Sequence, residues 1–292
     1  MESARCKAFV ESVERGSFRA AAEALGYTPS AVSQLVAALE KELGLNLLVR
    51  SKKGVTVTSE GEKLLPIARS YLAREKEMYE LASEMQGVSV GNLTIAAYPS
   101  VATTWLPEIV RTFQSDYPNV QFNIMEGIRS EIFAHLDDHV ADMGFMAYAE
   151  PMDYEWTPLA EEEIIAVVPE NHRLAGAKAY PIKDCEKDNF IMTSWGKDME
   201  IQSIFRKYKV SPNVKYTTYD TPATLAMVRM GLGVAFVNEL SAKLWEEHLV
   251  KLPLDPPQKV EFGIAYTSRE HMTKAAKKFY DYALRYIKEE GK

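Results

Sequence analysis

Gly16-Ser17-Phe18-Arg19-Ala20-Ala21-Ala22-Glu23-Ala24-Leu25-Gly26-Tyr27-Thr28-Pro29-Ser30-Ala31-Val32-Ser33-Gln34-Leu35 decides how the chain begins. Ser17 offers a hydroxyl cap to a helix over 18–25. The small residues Ala20, Ala21, Ala22 and Ala24 let another helix cross it closely. Gly26 and Tyr27 break that helix. Thr28 supplies a second cap, and Pro29 stands at the first helical position, where a missing N–H costs nothing. The next helix carries Val32, Leu35, Val36, Leu39 and Leu43 at spacings of three and four, an apolar stripe. Its other face holds Ser30, Ser33 and Gln34. Two helices joined by a short glycine-containing turn form a helix-turn-helix unit.

Working outward, Phe9, Val10 and Val13 predict an earlier helix that Gly16 stops. Downstream, 47–50 and 55–58 predict short strands around the basic tip Ser51-Lys52-Lys53-Gly54, a wing on the helical unit. Ser59-Glu60-Gly61-Glu62 has the pattern of a capping box, with Thr58 an equal alternative as the cap. A long helix then runs to about 85. Leu64, Ala68, Tyr71, Met78, Ala82 and Met85 step along it, interrupted once by Glu75. That repeat predicts pairing with a second helix; the alternative is a helix lying on its own domain. Gly87-Val88-Ser89-Val90-Gly91 reads as a hinge.

Past the hinge, strands are predicted at 93–98, 120–126, 142–146, 164–168, 190–193, 214–219, 234–238 and 264–267. Helices alternate with them at 106–117, 132–136, 197–208, 222–230 and 274–288. Alternation of this kind gives an α/β fold, and the number of strands calls for two lobes.

The chain has 292 residues and a formal net charge of −7, which taken whole argues against nucleic acid. Local placement of charge is what matters. Residues 1–58 carry +2 and the remaining 234 carry −9, so any DNA contact falls in the first 58. No run approaches the roughly 18–20 apolar residues of a membrane span, and the first residues lack the apolar stretch of a secretory signal. Cys6 and Cys185 are the only cysteines and stand far apart, which excludes a disulfide framework and a cysteine zinc site. The expected location is the cytoplasm, with no membrane partner.

These residues resemble the LysR-type transcriptional regulators. The segment 16–25 resembles the family's second helix, and Thr28-Pro29-Ser30-Ala31-Val32-Ser33-Gln34-Leu35 its recognition helix. Leu39-Glu40, Leu43-Gly44, Leu47-Leu48-Val49-Arg50 and Val57-Thr58-Ser59-Glu60-Gly61 complete a match over roughly 5–65. Ala141-Asp142-Met143-Gly144 and 228–235 are similar to weaker marks of the family's sensing domain. Leu48 stands where the family usually has Phe, and Asn238 where proline is common. The resemblance implies a winged helix-turn-helix (1–58), a linker and dimerisation helix with hinge (59–88), and a two-lobed effector-binding domain of the type-2 periplasmic-binding fold (89–292). Lobe I would be about 91–162 plus 265–292, and lobe II about 163–264. It also implies a homodimer through 59–88 that pairs into a homotetramer on a promoter operator of double-stranded DNA. RNA polymerase is a further candidate partner.

On DNA, Ser30, Ser33 and Gln34 are expected in the major groove, where Gln pairs bidentately with adenine. Thr28 and Pro29 set a helix N-terminus suited to phosphate. Ser17, Arg19, Arg50, Lys52 and Lys53 are expected at the backbone or minor groove, adding affinity more than sequence preference. Ligands of α/β sheets sit beyond the carboxyl ends of strands. The loops so placed are Tyr98-Pro99-Ser100-Val101, Gly127-Ile128-Arg129, Ala147-Tyr148, Thr193-Ser194-Trp195 and Tyr219-Asp220-Thr221. The expectation is a small organic effector, acidic or aromatic, with Ser100 and Thr221 at helix starts and Arg129 adding charge. No metal, cofactor or catalytic residue is expected. His135 and His139 lie at i, i+4 without an HExxH order, and no Ser-His-Asp order or paired carboxylate stands in a readable site. The competing reading, a solute-binding protein or enzyme with an accessory domain, leaves the specific amino-terminal pattern unexplained.

Overall fold

A computed structural model of the chain describes residues 2–51, 54–85, 91–243, 245, 248–270 and 272–290. The chain divides into two compact units, residues 1–91 with 134–141, and residues 92–133 with 142–292. Lys52, Lys53 and, apart from Gly91, the expected hinge lie outside the described residues.

The first unit contains α1 (Ser3–Glu14), α2 (Phe18–Leu25), α3 (Pro29–Leu43), the hairpin β1 (Leu48–Ser51) and β2 (Gly54–Val57), and α4 (Ser59–Met85). Ser17 and Thr28 cap α2 and α3, accepting from the amides of Arg19 and Ala31 at 3.2 Å each. Gly26 takes the left-handed conformation, φ 68°, that ends α2. Phe9, Ala21, Ala22, Val32, Val36, Leu39 and Leu47 form the buried core. Each large apolar side chain so buried contributes about 1.5–3 kcal/mol.

Glu40 ties the wing to α3. One carboxylate oxygen accepts from the amides of Leu47 at 2.8 Å and Leu48 at 3.1 Å, and the other pairs with Arg50 at 3.3 Å. Thr58, and not Ser59, caps α4: its Oγ1 accepts from Gly61 N at 3.0 Å, while Ser59 Oγ bonds Glu60. Gly61 explains why the cap is fixed there. A Cβ at that position would lie 2.3 Å from the Leu47 carbonyl oxygen, so only glycine lets the helix start against the wing.

The apolar repeat of α4 separates into two faces. Leu64, Leu65, Ala68 and Leu72 pack on the unit's own core, and Glu75, the residue that interrupts the repeat, pairs with Lys7 at 2.9 Å. Ile67, Tyr71 and Met78 are exposed, Ile67 at 63% and Met78 at 61%. Leu64 and Ala68, read from sequence as part of one pairing seam, are therefore committed to the helix's own domain.

Gly91 aside, the second unit holds β3 (Gly91–Ala97), α5 (Pro99–Thr103), α6 (Trp105–Asp116), β4 (Val120–Glu126), the first part of α7 (Arg129–Asp137, whose residues from 134 belong to the first unit), β5 (Met143–Ala147) and β6 (Glu155–Pro169). It continues with β7 (Tyr180–Pro181), β8 (Phe190–Met192), α8 (Met199–Tyr208), β9 (Val214–Thr217), α9 (Thr221–Arg229), β10 (Ala235–Asn238), α10 (Glu239–Ala242), β11 (Leu249–Tyr266) and α11 (Lys274–Glu290). A seven-stranded sheet has the order β10-β6-β11-β5-β3-β4, with β7 on β11, and β8 and β9 form a separate parallel pair.

The long antiparallel strands β6 and β11 join two lobes. Gln258–Ala265 pairs with 156–164, and 262–265 pairs also with β5, whereas 249–253 pairs with 165–169. The register shift between Pro253 and Gln258 marks the crossing. Residues 258–264 thus lie with the first lobe, where the sequence reading places them in the second. Proline at 253, 256 and 257 hides the strand, because proline marks a break in single-sequence reading. Among the described residues no helix is long and apolar enough to cross a membrane.

Candidate functional sites

On the first unit, Thr28, Pro29, Ser30 and Gln34 are exposed on one end and one face of α3. The Thr28 and Ser30 hydroxyls lie 3.0 Å apart, so the cap also orients the first polar residue of the helix. Ser17 is half-buried, and Arg19, its side chain 84% exposed, is held only by Glu23 at 3.4 Å among the described residues. Arg50 is tied down: it donates to Ser33 Oγ at 3.1 Å, pairs with Glu40, and lies over the Phe18 ring at 5.3 Å. Ser33 and Arg50 are thus one coupled feature that locks wing to helix. Exposed Gln34 and Arg19 are the freer groups.

On the second unit a cavity of about 300 Å³ opens between the lobes. Its walls include Tyr98, Pro99, Ser100, Ile128, Arg129, Ala147, Thr193, Ser194, Asp220 and Thr221 from the expected set, with Gly127 and Tyr219 of the same loops. Three expected residues stand elsewhere. Val101 is fully buried in the core, Trp195 is 63% exposed, and the Tyr148 hydroxyl bonds Glu150 while its ring packs on Trp156. A turn of α5 rotates Val101 inward, so adjacency to Ser100 is a poor guide there.

Arg129 is buried, and its guanidinium bonds to the backbone. It donates to the carbonyls of Ala147 at 3.2 Å, Ala149, and Pro151 at 2.8 Å, and lies over the Phe133 ring at 4.6 Å. It braces the 147–151 loop with three of its five N–H donors while lining the cavity. Asp220, and not Thr221, caps α9, accepting from Ala223 N at 2.8 Å. Asn238, at the position where the family commonly has proline, caps α10 at 2.8 Å and lines the cavity. The buried Ser100 hydroxyl has no hydrogen-bond partner among the described residues.

Sequence reading missed the segment that most shapes the cavity's electrostatics, Lys197, Asp198, Glu200 and Ile201 at the start of α8, together with Glu126, Trp245, Val260 and Phe262. Asp198 caps α8, accepting from Ile201 N at 3.1 Å. Two tyrosine–glutamate bonds span the lobes in opposite senses. Tyr98 of the first donates to Glu200 of the second at 3.1 Å, and Tyr219 of the second donates to Glu131 of the first at 3.0 Å. Burial, then the nearby Asp198 charge and a hydrogen bond with it, push the Glu200 carboxyl well above its ordinary range. Burial and Glu200 likewise raise the Tyr98 hydroxyl. Signals for this cluster existed in Asp198 as a cap, but nothing in sequence joined Tyr98 to a residue 102 positions away.

The chain has recognisable relatives. Residues 4–62 match the description "Bacterial regulatory helix-turn-helix protein, lysR family", and residues 86–288 match "LysR substrate binding domain". The chain is 28% identical over 287 residues to the uncharacterised HTH-type transcriptional regulator YvbU of Bacillus subtilis, spanning 97% of this chain and 98% of that one. It is similar to a hydrogen peroxide-bound cysteine-to-serine mutant of Corynebacterium glutamicum OxyR, with a TM-score of 0.62, 26% identity and coverage of 99% and 93%. Full-length CbnR complexed with its target DNA shares the fold at a TM-score of 0.56 and 20% identity, covering 98% of this chain and 100% of CbnR.

Proposed function

The chain belongs to the LysR family of transcriptional regulators, with a helix-turn-helix DNA-binding domain and an effector-binding domain, and from that premise we propose that its DNA binding is controlled by a small organic molecule held in the cleft between the two α/β lobes. The carrying observation is the cavity of about 300 Å³ between the lobes, whose wall includes Ser100 with its buried hydroxyl unpartnered among the described residues. A buried polar group without a partner is rare and points to a ligand or water. A ligand can shift the protein only through differential affinity for its arrangements, and the Tyr98–Glu200 and Tyr219–Glu131 bonds are the contacts whose making or breaking would set those arrangements.

Gln34 with Ser30 reads bases of a promoter operator in the cytoplasm, while Arg19 and the exposed amino end of α3 engage phosphates. The regulator works as a dimer formed through Ile67, Tyr71 and Met78 of α4, paired further into a tetramer, with RNA polymerase as the downstream partner. Ile67→Glu with Met78→Glu should lower the mass seen in sedimentation; an unchanged mass removes α4 from the interface.

Peroxide sensing through a thiol does not fit this chain. A reactive cysteine must be accessible and readily ionised. Cys6 and Cys185 are both buried, and burial raises the first and pushes the second up to about 12.

The test is a titration of the full-length protein on a genomic DNA library at two salt concentrations. A partly palindromic site should be enriched. A protein making 6–10 phosphate contacts should lose roughly 10³–10⁵ in affinity between 50 and 200 mM salt. Equal retention of all sequences would refute sequence-specific regulation.

A further inference from the structure

The chemistry of the cleft also selects among ligands, an inference that rests on the cleft being the sensing site. Among the described residues, four carboxyl groups line the cavity, Glu126, Asp198, Glu200 and Asp220, against two cations, Arg129 and Lys197. Arg129 commits three of its five N–H donors to backbone carbonyls, which leaves two donors and its charge at the cavity. Asp198 and Glu200 stand close together at the start of α8, and Tyr98 donates to Glu200 from the facing lobe at 3.1 Å. Ile164, Ile201, Val260 and Phe262 add apolar wall to the same cavity. Ser100, two residues beyond Tyr98, adds a buried hydroxyl with no partner among the described residues.

We propose that the effector is a small organic cation, an amine or guanidine on an apolar body, whose charged head is taken between Asp198 and Glu200 with Ser100 Oγ as a further acceptor. The body lies on Phe262 and Val260. A carboxylate ligand would instead add a like charge beside the acid pair, where the two lining cations, Lys197 and a partly committed Arg129, face four carboxyl groups. Burial and the neighbouring Asp198 charge favour a proton on Glu200, so a cation taken there competes with that proton. The groups facing Glu200 in this competition are Asp198 from its own segment and Tyr98 from the end of β3, with Arg129 acting on Tyr98 in turn.

Full-length protein is tested by thermal shift against matched probes, phenethylamine, agmatine and putrescine on one side, and 3-phenylpropionate and phenylacetate on the other. The amines should raise the transition of the sensing unit, with affinity that increases with pH. Glu200→Gln, close to isosteric, should weaken them on the order of 10- to 100-fold, and Asp198→Asn should do the same while keeping the helix cap. A carboxylate response without an amine response, no response to any amine, or an amine response equal in wild type and Glu200→Gln overturns the inference. The cleft reading fails on a different result: a compound of either class that shifts the wild type and shifts Thr221→Trp, which fills the cavity, by the same amount.

Discussion

Replacing Arg129 by alanine separates a brace from a ligand contact. The guanidinium donates to three carbonyls, of which that of Ala147 is buried and those of Ala149 and Pro151 are partly exposed. Loss of a charged donor from a buried acceptor costs about 1.5–3 kcal/mol, and water recovers most of the cost at the other two, leaving about 0.5–1 kcal/mol each. The stacking on Phe133 at 4.6 Å adds roughly 0.5–1 kcal/mol. The total is about 3–6 kcal/mol. For a unit of this size each kcal/mol moves the melting point by roughly 2–4 °C. Arg129→Ala should therefore lower the transition of the sensing unit by roughly 6–24 °C in calorimetry of the full chain. Arg129→Lys keeps the charge without the planar fork and should recover only part of the loss. A transition within about 1 °C of wild type would refute the bracing role and return the guanidinium to the ligand.

Gln34→Ala should change base preference, with about 1–3 kcal/mol of discrimination lost at one operator position; a uniform loss across all sequences in a library selection would deny it a reading role. Gly61→Ala forces a Cβ to within 2.3 Å of the Leu47 carbonyl oxygen, and the first unit should lose roughly 1–3 kcal/mol and DNA affinity together; an unshifted transition of that unit would contradict the close approach. Glu200 holds its proton in the folded chain above the pH, near 4.5, at which the unfolded chain releases it. Stability should thus fall as pH rises from about 4.5 through the folded value. Glu200→Gln removes that fall, so it should melt above wild type at about pH 8 and converge with it in acid. Parallel melting curves across that range would show the carboxyl to be ionised throughout.

The amino-terminal unit is legible because its signals are local. The caps Ser17 and Thr28, the proline at the start of α3 and the apolar stripe each act within four residues. Where the reading leaves a choice open there, the competing residues are adjacent: Thr58 against Ser59, decided by a glycine packed under the wing. The α4 repeat is a different case. Period alone gives which residues share a face, and it does not say which face meets the helix's own domain, so Leu64 and Ala68 are grouped with Tyr71 and Met78. In the sensing unit the loops at strand ends follow from the general rule for α/β sheets, and most of them do line the cavity. Arg129 does line the cavity, but its bracing role is invisible in sequence because its partners are backbone carbonyls at 147, 149 and 151, which no side-chain pattern encodes. Glu200 is missed because its environment comes from the end of β3 and the start of α8, which meet only in three dimensions.

The two cross-lobe bonds give the ligand's charge a direction of action. A carboxylate has room for about four hydrogen bonds, so Glu200 can keep the Tyr98 hydroxyl and accept an ammonium as well. A cation therefore adds to the joined arrangement and raises its population. An anion needs the Tyr98 hydroxyl as a donor for itself, and taking it would part the lobes at that point. Occupants of opposite charge in one cleft would thus drive opposite arrangements, each by no more than its difference in affinity for the two, about 10⁴-fold for a full swing from 1:99 to 99:1. The Tyr219–Glu131 bond, which is exposed, can follow either motion at little cost. The Tyr98–Glu200 bond is the one whose state reports which arrangement the regulator has taken. Its loss in Tyr98→Phe should then leave amine binding largely intact while weakening the coupling of that binding to DNA affinity.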